Sequence, residues 1–223
     1  MPGGWTMSMA WMRMPGQTWP NAAASFLGMW IVMMVAMMSP SLIPLLWRYS
    51  LAIGRIGGRR SDGLIALASA GYFFTWTVFG LAAFTAGALL AAMEMQWPWL
   101  ARIVPGAAGA MVLTAGALQF TTWKTHHLAC CQAARSCCRP WPVQAAAAWR
   151  FGLRLGVHCC HCCAGLTAVL LVLGVMDLRA MFAVTAAITA ERLAPAAWRV
   201  EQVIGVVVIA TGLFFIVRAT GLV

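Results

Sequence analysis

The sequence predicts an all-α fold, a polytopic transmembrane helix bundle of about six spans, and three observations predict it. Of its 223 residues 62% are hydrophobic and only 9% are charged, whereas soluble domains carry about 25% charged residues. The uncharged runs are long: Asp62 and Glu94 bracket 31 residues, Arg102 and Trp123 bracket 20, and Arg154 and Asp177 bracket 22. A helix needs about 20 such residues to cross the hydrocarbon core. Finally, the basic residues fall unevenly between alternate connections, as they do in a chain whose charges fix its orientation.

Each span has its own justification. The first covers residues 22–47 and carries Pro40 and Pro44; Pro40 removes a hydrogen bond from the Ala36 carbonyl and is expected to kink or loosen the helix. The second covers residues 63–93. The third covers residues 103–123, with Pro105 in the first turn, where a missing N–H is harmless. The fourth covers residues 155–176. The fifth, residues 178–193, is the weakest, because Glu191 and Arg192 interrupt it. The sixth covers residues 202–220. Asp177 is expected to cap the outer end of the fourth. Small residues at short spacing, Gly152/Gly156 and Gly80 with Ala83 and Gly87, suit close helix packing.

Eleven Lys and Arg sit in one set of connections: Arg48, Arg55, Arg59 and Arg60, then Lys124, Arg135, Arg139, Arg150 and Arg154, then Arg192 and Arg199. The other set holds Arg13, Arg102, Arg179 and Arg218. The positive-inside rule puts the eleven in the cytoplasm and both termini outside, in a bacterial inner membrane. The net charge of +10 therefore encodes orientation, and no nucleic-acid partner is expected; the bilayer is. Residues 1–21 form a Met/Trp-rich exposed segment with no signal-peptide pattern. Residues 22–223 form one transmembrane domain, whose largest connection is a cysteine loop at 124–150.

All eight cysteines fall in two clusters. Cys130, Cys131, Cys137 and Cys138 lie in the loop. Cys159, Cys160, Cys162 and Cys163 lie early in the fourth span, within about two turns of its inner end. A reducing compartment argues against disulfides and for metal binding. On a helix Cys159, Cys162 and Cys163 share a face, and His158 and His161 stack close by. Sulfur donors with imidazoles suit a soft transition metal: copper first, with zinc or mercury as alternatives. A single cysteine in a span is commonly a small apolar residue; four cysteines and two histidines in six positions are a site. The loop quartet is less specific, and His126 and His127 beside it read equally well as idle surface residues.

Met33, Met34, Met37 and Met38 lie near the midplane of the first span. Thioethers bind Cu(I) without losing a proton, although Met is also a flexible core filler. Met7, Met9, Met12 and Met14 precede them outside, and Met176 and Met181 add to the outer end. Ordered by depth, outer Met, midplane Met, inner-leaflet Cys and cytoplasmic Cys make a relay of weak sites of the kind that conduction of a soft ion needs. Glu191 is the candidate intramembrane charge, with a self-neutralising pair to Arg192 as its plainer explanation.

Several of these residues together resemble the bacterial family of predicted metal-binding integral membrane proteins, domain of unknown function 2182. The match runs through Met33, Met34, Ala36, Met37, Met38 and Pro40, then Ala115, Gly116, Gln119, Lys124 and Cys131. It continues at Cys159, Cys162 and Cys163, at Gly174 and Met176, and at Glu191 and Arg192. It covers roughly residues 26–200. The chain departs from the family at His161, where a Gly is usual, at Ala164, where an aromatic is usual, and in the additional Cys160. The resemblance implies metal binding.

The leading expectation is a membrane protein that transports Cu(I) or delivers it to a partner, a metallochaperone or a cuproenzyme, with a second copy or an accessory subunit to complete so small a bundle. It is not expected to be an enzyme. One alternative is mercury or heavy-metal uptake, which thiols alone can serve. Another is a membrane thiol–disulfide oxidoreductase, since Cys159/Cys162 and Cys160/Cys163 are both C-x-x-C pairs.

Overall fold

The computed structural model of the chain describes residues 18–54, 58–97, 100–136, 141–174, 177–194 and 199–219. Among the described residues the chain is all-α. It forms α1 (Trp19–Ile53), α2 (Gly58–Gln96), α3 (Leu100–Leu118), α4 (Thr122–Ser136), α5 (Ala145–Leu173), α6 (Leu178–Leu193) and α7 (Val200–Ala219). Four of these, α1, α2, α5 and α7, are long and apolar enough to cross a membrane. A shorter apolar stretch, Gly106–Leu118, lies within α3. The 16 residues of α6 rise about 24 Å, short of the ~30 Å hydrocarbon core.

The core is built where backbones can approach. α2 lies along α5 and α3 lies along α7. Gly152 and Gly156 make the first contact possible. A Cβ on Gly152 would run into the Ala68 backbone, and one on Gly156 would stand 2.7 Å from the Thr75 hydroxyl and 2.9 Å from the Tyr72 carbonyl. On α2, Gly80 makes room for the Trp30 indole, 2.5 Å from where its Cβ would be. Trp30 then donates from Nε1 to the Trp76 carbonyl at 3.0 Å. Around this contact α1 contributes Met33, Met34, Met37, Met38, Leu42 and Leu45, all buried. Large aliphatic residues face outward on α1 (Val32, Ile43, Leu51), α2 (Val78, Leu89) and α7 (Val203, Val206, Val207). So continuous an apolar exterior is unusual for a protein surrounded by water.

Several expectations are corrected. α3 ends at Leu118 rather than at 123, and Thr122–Ser136, most of it expected within the loop at 124–150, forms α4. α5 begins at Ala145, ten residues before the expected start at 155, because the Ala-rich stretch 145–148 is a strong helix former. Arg150 and Arg154 therefore ride exposed on a helix, and Cys159 is the fifteenth residue of 29, central along α5 rather than near its end. α1 continues as one helix through both Pro40 and Pro44. Asp177 caps the start of α6, not the end of the preceding helix: its carboxylate accepts from the backbone N–H of Arg179 at 2.8 Å and of Ala180 at 3.4 Å. Met7, Met9, Met12 and Met14, Cys137, Cys138 and Met176 lie outside the described residues, as do the side chains of Cys130 and Cys131.

Candidate metal centre

α5 presents Cys159, Cys162 and Cys163 on one face because positions three and four apart share a side of a helix. That face is buried, with Cys159 at 0%, Cys162 at 3% and Cys163 at 1% exposure. The three Sγ atoms lie within 4.8 Å of one another, the one such trio of ligand groups among the described residues. Cys162 and Cys163 are 3.5 Å apart and Cys159 and Cys163 3.9 Å. All three are free thiols.

Three elements close the pocket against α5. From α1, Met38 Sδ stands 4.0 Å from Cys159 Sγ. From α2, the Tyr72 hydroxyl is 3.0 Å from the same sulfur. From α6, Arg192 Nη1 is 3.3 Å from it, and also donates to Ser41 Oγ at 2.8 Å and to the Tyr72 hydroxyl at 3.4 Å. Ser41 in turn donates to the Met38 carbonyl at 3.0 Å, one turn back on α1. A guanidinium is thus fixed beside the thiols, its Nη1 engaged by a hydroxyl on each of two helices and by Cys159, as a buried charge requires partners.

Arg192 is held there by its neighbour's anchor. Glu191 accepts from Lys124 Nζ with both carboxylate oxygens at 2.8 Å, and Lys124 also donates to Gln119 Oε1. Both side chains of the ion pair are almost fully buried. The pair joins α4 to α6, so Lys124, expected among the loop charges, instead belongs to the core. Breaking a buried pair of this kind costs about 3–5 kcal/mol, because the surviving charge is stranded.

The remaining candidates separate by face. His158 and His161 turn away from the thiols toward α4, where His127 Nδ1 is 3.2 Å from His158 Nδ1 and the His127 and His161 rings stack at 4.9 Å. His127 lies outside the helices that could span a membrane. Partial burial, then the imidazoles of His161, His158 and His126, lowers its pKa below the usual imidazole value. Cys160 is half-buried on a third side of α5. The expected relay by depth is not what α1 and α5 make of the methionines and cysteines: Met38 and Cys159 meet at one level. Tyr72, Ser41 and the reach of Arg192 to Cys159 escaped the sequence reading. The available signal was chemical, since a buried Tyr, Ser and Arg in apolar helices must find partners.

A chain of mostly apolar helices enclosing a trio of buried thiols has, by fold and site, the donor set of a protein that could hold a soft metal. Over residues 27–215 it matches PpoB2, a copper chaperone family, and the chain belongs to that family. The metal-related character that the sequence resemblance implied holds; the family's description is its own and does not mention a membrane. No curated protein and no solved structure matched in the same comparisons.

Proposed function

We propose that the protein is a membrane copper chaperone that holds Cu(I) on Cys159, Cys162 and Cys163 and passes it to a partner cuproenzyme. The single observation that carries this reading is the trio of buried, mutually adjacent thiols in a chain of the copper chaperone family. Thiolates are the donors a soft monovalent cation prefers. Met38 adds a neutral soft donor at the rim, which favours copper over a thiol-only carrier of mercury. Three thiolates around one Cu(I) carry two net negative charges, and Arg192 offsets one of them inside the low-dielectric core. Nothing in this cycle makes or breaks a covalent bond of a substrate, so the protein works by binding and release.

The bundle sits in the inner membrane with six crossings. α3 and the short α6 join α1, α2, α5 and α7, both termini face outside, and α4 lies at the cytoplasmic side. With Lys124 and Arg192 buried in the core, the nine other basic residues of the inner connections, against four on the other side, still support this orientation. Since the thiols are closed off, release requires α6 to move and take Arg192 with it. The partner's docking is what moves it, and a second copy or an accessory subunit packs on the apolar exterior of α7.

The reading is tested by purifying the full chain from copper-supplemented cells and measuring bound copper in it and in C159S/C162S/C163S. The expected result is copper in the natural chain and near-complete loss in the variant. Equal copper in both would remove the thiol pocket from the function.

A further inference from the structure

The chain has four histidines, and the fold gathers all four in one place. His126 and His127 come from α4, His158 and His161 from α5. The His126 and His127 rings are 5.6 Å apart, those of His127 and His158 5.4 Å, and those of His127 and His161 4.9 Å. Trp123 sets its ring edge-on to both His127, at 4.8 Å, and His161, at 5.5 Å. This cluster flanks the thiol pocket. At 3.6 residues per turn His158 and Cys162 are about 40° apart around α5, yet the imidazoles face α4 and the thiols face α1, α2 and α6.

The decisive distance is between two ring nitrogens. Nδ1 of His127 and Nδ1 of His158 stand 3.2 Å apart. Two imidazole nitrogens bound to one tetrahedral ion at 2.0–2.1 Å are about 3.3 Å apart. His161 is also oriented: its Nδ1 donates to the Val157 carbonyl at 2.8 Å, which leaves Nε2 as the lone-pair nitrogen, the second-partner arrangement usual for ligating histidines. His127 and His158 are half-buried and His161 is exposed, so an ion here is reachable from the surface while one on the thiols is not.

We propose that His127 and His158, with Nε2 of His161 as a third donor, form a second, imidazole-based copper site on the α4–α5 surface. It goes beyond the thiol pocket and stands on different atoms. It would hold the ion where a soluble donor or acceptor protein can exchange it, next to the helix face that stores it.

The experiment loads the purified full chain with two equivalents of Cu(I), added as its acetonitrile complex, and records X-ray absorption and bound stoichiometry. The natural chain is expected to bind two copper ions with mixed sulfur and imidazole coordination. H127A/H158A should lose the imidazole signature and the second equivalent while keeping sulfur-bound copper, its affinity for that second ion falling at least about tenfold. Should the double variant fold poorly, H158Q, which keeps a polar side chain of similar size, carries the same test. Absence of imidazole scattering in the natural chain would mean the two rings merely hydrogen-bond and would overturn the proposal, as would an unchanged second site in both variants. Loss of sulfur coordination alone would overturn the thiol pocket and leave this site standing.

Discussion

Two faces of α5 gather donors in opposite ways. On one, Cys159, Cys162 and Cys163 are sealed by α1, α2 and α6 and set against a buried guanidinium. On the other, His158 and His161 meet His127 at a face the fold leaves partly uncovered, with His161 exposed. Three helices cover the sulfur face, with α2 in close backbone contact through Gly152 and Gly156, whereas the imidazole face meets α4 and leaves His161 exposed. A closed soft site retains an ion; an open harder one exchanges it. The difference between the faces is therefore one of access as much as of ligand chemistry.

Substitutions can break this comparison in order of severity. K124M strands Glu191 in the core and releases both α4 and α6, so it should disturb the two faces together. The expected cost is about 3–5 kcal/mol, seen as a clear drop in the detergent-solubilised melting temperature, and K124M/E191Q should recover a large part of it. R192M should act on the sulfur face alone. One unit of charge at this distance is worth more than the ~1.4 kcal/mol that a factor of ten represents, so Cu(I) affinity should fall by at least about tenfold in a chelator competition. G152L forces α2 off α5 and should destabilise by about 1–3 kcal/mol, again measured by melting, with the α4 side spared. M38L should weaken Cu(I) by less than about tenfold, because a thioether 4.0 Å from Cys159 is a packing neighbour that leans in rather than a principal donor. An M38L effect as large as that of R192M would make the methionine a full ligand and redraw the boundary of the sulfur face.

Much of this was readable from the chain, and the failures have physical reasons. The runs between charges located α1, α2, α3, α5 and α7, and α6 has the bounds its pattern suggested. The Gly152/Gly156 spacing marked the α2–α5 contact, and helical periodicity alone put the three cysteines on one face. α4 was missed because its sequence, rich in Cys, His and Thr, has no long apolar stripe. Yet it contains neither Pro nor Gly from 122 to 136, which was the available sign of a helix. α5 starts earlier than its charges suggest, because Arg150 and Arg154 ride the exposed side of a helix that extends beyond the apolar segment. The contacts of Arg192 with Cys159 and of Lys124 with Glu191 join residues 33 and 67 positions apart. No local pattern encodes such pairings; they follow only once α4, α5 and α6 are packed.

The central claim is that the closed sulfur face is where the copper rests. Its most direct test is X-ray absorption on the full chain carrying one equivalent of Cu(I). Coordination by sulfur alone is expected, at about 2.3 Å, the usual length of a metal–thiolate bond, and it should disappear in C159S/C162S/C163S. Copper bound only through nitrogen or oxygen at this loading, or sulfur coordination that survives the triple replacement, would contradict it.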